Sequence, residues 1–130
     1  MLLVAPRYEP APGKLAIATF DSLTVPADGS AAAEIAAALP QSKVLKAFNT
    51  NFAATLASGT VGEVATTVLV AGDDADAKAA LVDVLSAGGL RVTDAGSLRR
   101  ARELEALGFL QLTLAVGEKV SWVGGFAVVA

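Results

Sequence analysis

The chain contains no cysteine and no histidine. Without thiols there is neither a disulfide framework nor thiolate catalysis, and without imidazole there is no serine–histidine relay and no histidine-ligated metal. Charged residues make up only 18% of the sequence, against roughly a quarter in ordinary globular proteins. The net charge is −3, and apart from Arg99, Arg100 and Arg102 the basic residues are scattered, so nucleic acid is offered no basic stripe. No apolar stretch reaches the roughly 18 residues that a membrane helix needs, so no membrane partner is expected. The apolar opening, Met1 to Pro6, is too short for a signal-peptide core and Arg7 follows rather than precedes it, which makes the cytoplasm the expected location. Also missing are the two standard glycine-rich loops that cradle phosphates, Gly-x-Gly-x-x-Gly and Gly-x-x-x-x-Gly-Lys.

What is present is an alternation of short apolar runs and alanine-rich helical segments within 130 residues, the length of one domain. Leu2 to Ala5 reads as a short strand, and the prolines and glycine after it as a loose arm or edge. Lys14 to Phe20 reads as a strand. Ser30 caps a helix through Leu39, stopped by Pro40, and Lys43 to Phe48 is the next strand, breaking into the polar residues Asn49, Thr50 and Asn51. A short helix over 52–57 ends at Ser58-Gly59, and Thr66 to Ala71 is a continuous apolar strand of the kind buried on both faces. Asp73 or Asp74 caps a helix over 75–87 with Leu81, Val84 and Leu85 as its buried stripe. Leu90 to Asp94 is another strand. The helix Leu98 to Val116 begins polar, with Arg99–Glu103 and Arg102–Glu105 at pairing distance, and becomes so apolar that burial all round is expected. Val120 to Val129 reads as a closing strand with Gly124-Gly125 a bulge or close backbone contact. Hydrophobic residues reach 54%, a surplus that a partner would cover, and a homo-oligomer through Leu98–Val129 accounts for it.

Three strands end in polar clusters: Asn49 to Asn51, Gly72 to Asp74, and Asp94 to Ser97. If the strands are parallel, these ends share one edge of the sheet, where open α/β sheets bind ligands. Helix caps and turns alone also explain Asp73, Asp74 and Ser97, and the same carboxylates with Asp76 need no metal. The arginine group reads as a solvated, self-paired face, and Trp122 and Phe126 as core or interface rather than a ring-stacking pair.

Four segments, Lys46-Ala-Phe-Asn-Thr50, Val68-Leu-Val-Ala-Gly-Asp73, Asp94-Ala-Gly-Ser97 and Ala101-Arg-Glu-Leu-Glu105, carry a resemblance in order from about Ala18 onward. The chain resembles the family of NADPH-dependent deazaflavin (coenzyme F-420) reductases and the related oxidoreductase domains of metalloreductases. The resemblance implies an α/β fold, partial Rossmann-like: half of a doubly wound, mostly parallel sheet with flanking helices. It implies NADPH as cofactor, with deazaflavin coenzyme F-420 as the possible acceptor, and direct hydride passage for which the protein supplies orientation and electrostatics. Phe48, Asn49 and Thr50 are the residues it places beside the reacting rings; no catalytic side chain and no metal ligand is implied. The family's glycine-rich half is not matched, so residues 18–130 are expected to be a single α/β domain resembling the C-terminal part of such a domain, behind an unmatched leader, residues 1–17. The alternative is a non-catalytic homodimerising α/β module.

Overall fold

The computed structural model describes residues 2–4 and 25–130. In chain order the elements are β1 (Leu2–Val4), α1 (Ala31–Ala38), β2 (Lys43–Lys46), α2 (Ala53–Ser58), β3 (Thr60–Val61), β4 (Val64–Ala65), β5 (Thr67–Gly72), α3 (Ala75–Ala87), β6 (Arg91–Gly96), a 3₁₀ turn (Leu98–Arg100) and α4 (Ala101–Val116). The expected strand over 14–20 and the arm before it lie outside the described residues.

Local chemistry sets most boundaries. The Ser30 hydroxyl accepts the Ala33 N–H at 2.9 Å and Asp74 Oδ1 accepts the Ala77 N–H at 2.8 Å, so each of α1 and α3 starts on a side-chain cap. Gly59, at φ 76°, takes the left-handed conformation that closes α2.

The main sheet has the order β1-β2-β5-β6. β1 runs parallel to β2 and β5 parallel to β6, but β5 is antiparallel to β2, pairing Leu45 with Gly72 and Lys46 with Ala71. The sheet is therefore mixed, and the Rossmann-like arrangement of helices on a partly parallel sheet holds. The expectation that three polar strand ends share one edge does not. Between β2 and β5 the chain has only the six-residue α2 and the β3–β4 hairpin, too little helix for the crossover that a parallel return requires. Thr66 fixes the reversal: its hydroxyl donates to the Thr55 carbonyl at 2.7 Å and its N–H to the Gly59 carbonyl at 2.9 Å.

Helices cover both faces. On one, Ala32, Val44, Leu98 and Ala101 form a cluster with Ile35 and Ala36, so α1 and the start of α4 pack there. On the other, Ala47, Val68 and Val70 form a cluster with Phe48 of the turn after β2, Leu56 of α2, Leu81 and Leu85 of α3, Leu90, and Val92 of β6. The small residues matter: a Cβ at Gly72 would collide with the Leu45 side chain.

Four further expectations are corrected. Val84 stands 69% exposed, on the outer face of α3. α4 is not buried all round: Ala101, Leu104, Gln111 and Ala115 are buried, a stripe at helical spacing, while Leu110 and Val116 face outward. Glu105 does not pair with Arg102; Arg100 and Arg102 both bind Glu103 instead, at 3.0 and 2.9 Å. Val120–Val129 forms no strand, because Gly124 closes a turn on Ser121, Gly125 sits at φ 126°, and the Phe126 N–H is given to a side chain rather than to a ladder.

Candidate functional site

β2 leads straight into a reverse turn. Phe48 has φ 70°, a left-handed conformation uncommon for a bulky residue, and the Asn51 N–H closes the turn on the Phe48 carbonyl at 3.1 Å. Phe48 packs against the cluster of Ala47, Val68 and Val70. The structure thus brings Phe48, Asn49 and Thr50 together at the carboxyl end of β2.

Their side chains face the protein. The Asn49 amide donates to the Leu104 carbonyl at 2.6 Å, and its Oδ1 is buried with no protein partner. Thr50 is buried, and its carbonyl accepts from Gln111 Nε2 at 3.2 Å. Asn51 donates to the Thr67 carbonyl at 3.1 Å, leaving a second buried, unpartnered Oδ1. α4 can approach this closely because residue 108 is glycine: a Cβ there would stand 2.6 Å from the Asn49 carbonyl oxygen.

Behind the turn lies a buried ion pair, Lys46 Nζ to Glu105 Oε1 at 3.2 Å. The same carboxylate accepts the Ala31 and Ala32 N–H groups at 2.7 and 3.0 Å, so Glu105 lies at the positive end of α1 as well. Sequence reasoning quoted both residues as motif positions but missed their pairing; two charges in largely apolar surroundings were the available signal. Gln111, a polar residue inside the apolar run of α4, was the equivalent signal for the contact with Thr50.

The other polar strand ends sit on the opposite edge, where their groups are spent on the fold. Asp73 Oδ1 accepts the Leu98 N–H at 2.9 Å, and Asp74 caps α3 while meeting Lys43 at 3.4 Å. Asp94 accepts the Gly96 N–H at 2.8 Å and the Lys78 ammonium at 3.1 Å. Hydrogen bonding from the Ala77 N–H, with help from Lys43, holds the Asp74 carboxyl below its ordinary pKa. The Gly96 N–H and Lys78 lower that of Asp94, and Arg102 that of Glu103. A surface cavity of about 300 Å³ opens between Ser42, Lys43, Asp73 and Leu98. Among the described residues no group of three acidic or metal-ligating side chains stands together, and no helix is long and apolar enough to cross a membrane.

The comparisons with known proteins fall on the fold rather than on the site. No family model matches the chain, and no curated protein matches it. Among solved structures it is similar to a protein from Arthrobacter sp. FB24 that carries the provisional name of F-420-dependent NADP-reductase, at 27% identity and a TM-score of 0.73. The match covers 84% of this chain and 50% of that one, so the chain spans about half the length of its structural relative.

A nicotinamide ring would meet an uncharged backbone surface at the β2 turn, whose two unpartnered amide oxygens are buried and turned away from any ligand. For the phosphates the donor set is lacking at this edge among the described residues: Lys46 is already neutralised by Glu105, and no glycine-rich loop follows a described strand.

Proposed function

We propose that the chain is an NADP(H)-linked oxidoreductase domain of the deazaflavin-reductase type, in which the turn Phe48–Thr50 forms the wall beside the reacting ring. The observation carrying this reading is the likeness to the Arthrobacter protein in both fold and sequence. That likeness is joined to an uncharged turn at the end of β2.

When bound, the nicotinamide supplies the hydride; the chain's own residues orient and shield. Asn49 and Thr50 are engaged by Leu104 and Gln111, so their contribution is a fixed backbone surface rather than a free side-chain contact. A surface already held in place loses no further entropy when the ring docks, which favours hydride passage in a set geometry. No side chain moves a proton. Deazaflavin coenzyme F-420 is the acceptor class this reading names.

Titration with NADPH, followed by nicotinamide fluorescence, tests it. Saturable but weak binding is expected, toward the millimolar range, because the phosphates find no cradle here. Absence of binding at millimolar NADPH would overturn the reading.

A second reading is favoured by a separate observation: Leu110, Val116, Val123 and Val129 are 51%, 53%, 69% and 81% exposed. On it the chain is a homodimerising module whose residues 98–129 cover one another. A monomer by sedimentation at micromolar concentration counts against it.

A further inference from the structure

Two contacts tie the C-terminal segment, residues 120–130, to the turn after β2. The first runs through Gln111, which is 2% exposed and has both ends of its amide in use. Nε2 donates to the Thr50 carbonyl at 3.2 Å, and Oε1 accepts the Phe126 N–H at 2.6 Å. Reversing the amide would set NH₂ against N–H and oxygen against oxygen, so its orientation is fixed by its partners. Gly125 makes room for it, since a Cβ there would stand 2.6 Å from Oε1. The second contact is aromatic: the Trp122 and Phe52 rings lie 5.1 Å apart at 52°, and Phe52 follows directly on the site turn.

Apolar burial does not explain why this segment lies where it does. It has no regular structure, Trp122 is 51% exposed and Val123 69%. It is held by a buried amide that would be left unsatisfied at one end if the segment departed. A half-exposed indole anchored beside a candidate ring site leaves aromatic surface free for a planar ligand.

We propose that residues 120–130 form a second wall of the site at the Asn49–Thr50 turn, that Gln111 is the positioning residue holding this wall, and that Trp122 stacks against a planar nicotinamide-type ring bound there. The proposal rests on the oxidoreductase reading and adds to it which part of the chain faces that turn.

Trp122 is the only tryptophan in the chain, so its emission reports one position. Oxidised nicotinamide mononucleotide and NADP+ do not absorb in the tryptophan emission band, and quenching by them requires ring contact rather than energy transfer. Both are titrated while binding is followed separately by calorimetry. Saturable quenching with the calorimetric midpoint is expected, and Trp122→Leu should weaken binding roughly three- to tenfold while far-ultraviolet circular dichroism stays native. Gln111→Leu should shift the emission of the free protein to the red and weaken binding while far-ultraviolet circular dichroism stays native. Should that variant not fold, Gly125→Ala crowds the amide from the other side and should give the same red shift. Calorimetric binding with a silent tryptophan, or a Gln111→Leu protein that folds with unshifted emission, overturns the second wall and leaves the oxidoreductase reading standing. No binding of either ligand overturns both.

Discussion

Gly108 and Glu105 show how single residues hold the β2 turn against α4. A methyl group at position 108 meets the Asn49 carbonyl at 2.6 Å and the Asn49 amide nitrogen at 2.8 Å. Gly108→Ala ought to gain helix propensity, worth about 1 kcal/mol, yet lose about 1–3 kcal/mol to overpacking. The expected net result is a lower unfolding free energy in urea and a disturbed Asn49 amide resonance. Glu105→Ala leaves Lys46 buried without a counter-charge and strips Ala31 and Ala32 of their acceptor. A loss of about 3–5 kcal/mol is predicted, with Glu105→Gln losing less because it retains an acceptor. Chemical denaturation of the two variants side by side checks the order. Neither partnership was legible beforehand, nor was that of Gln111 with Thr50 at 61 positions' separation, because nothing in a local pattern says which buried polar groups will meet.

Elements were far more legible, because caps and helix stops are local chemistry. Ser30, Asp74 and Gly59 act where their side chains or backbone freedom dictate. Strand direction is not local: whether β5 returns parallel or antiparallel depends on how little helix the β2–β5 connection contains, and that decides which polar cluster stands at which edge. The carboxylates at the β5–β6 edge give a prediction in pH. Asp74 and Asp94 have folded pKa values below the ordinary 3.8. Their contribution is therefore complete above that value and is lost as pH falls through the lower folded pKa. Unfolding free energy should be flat above about pH 5 with respect to these groups and decline in more acid solution. Asp94→Asn should flatten that acid limb; an unchanged limb would contradict the assignment.

For the molecule as a whole, an alternation of strands and helices was readable from the rhythm of apolar runs and the α/β fold from the family resemblance, whereas the fate of the C-terminal segment was not. The apolar run Val120 to Val129 favoured a strand with a bulge at Gly124-Gly125, and a buried glutamine ties the segment to the β2 turn instead. The outward apolar residues Leu110, Val116, Val123 and Val129 predict concentration-dependent self-association. Leu110→Glu together with Val123→Glu should reduce it in sedimentation without lowering the melting temperature, since both positions are already exposed. Val123 and Val129 belong to the proposed second wall, so ligand binding and association are expected to influence one another.

The proposed ligand edge is the one at the end of β2, and the amide resonances of a nitrogen-15-labelled chain report on it residue by residue. On titration with nicotinamide mononucleotide, shifts are expected at Phe48, Asn49, Thr50 and the Trp122 indole N–H. Shifts confined to Asp73, Asp74 and Asp94 to Ser97, on the opposite edge, would contradict it.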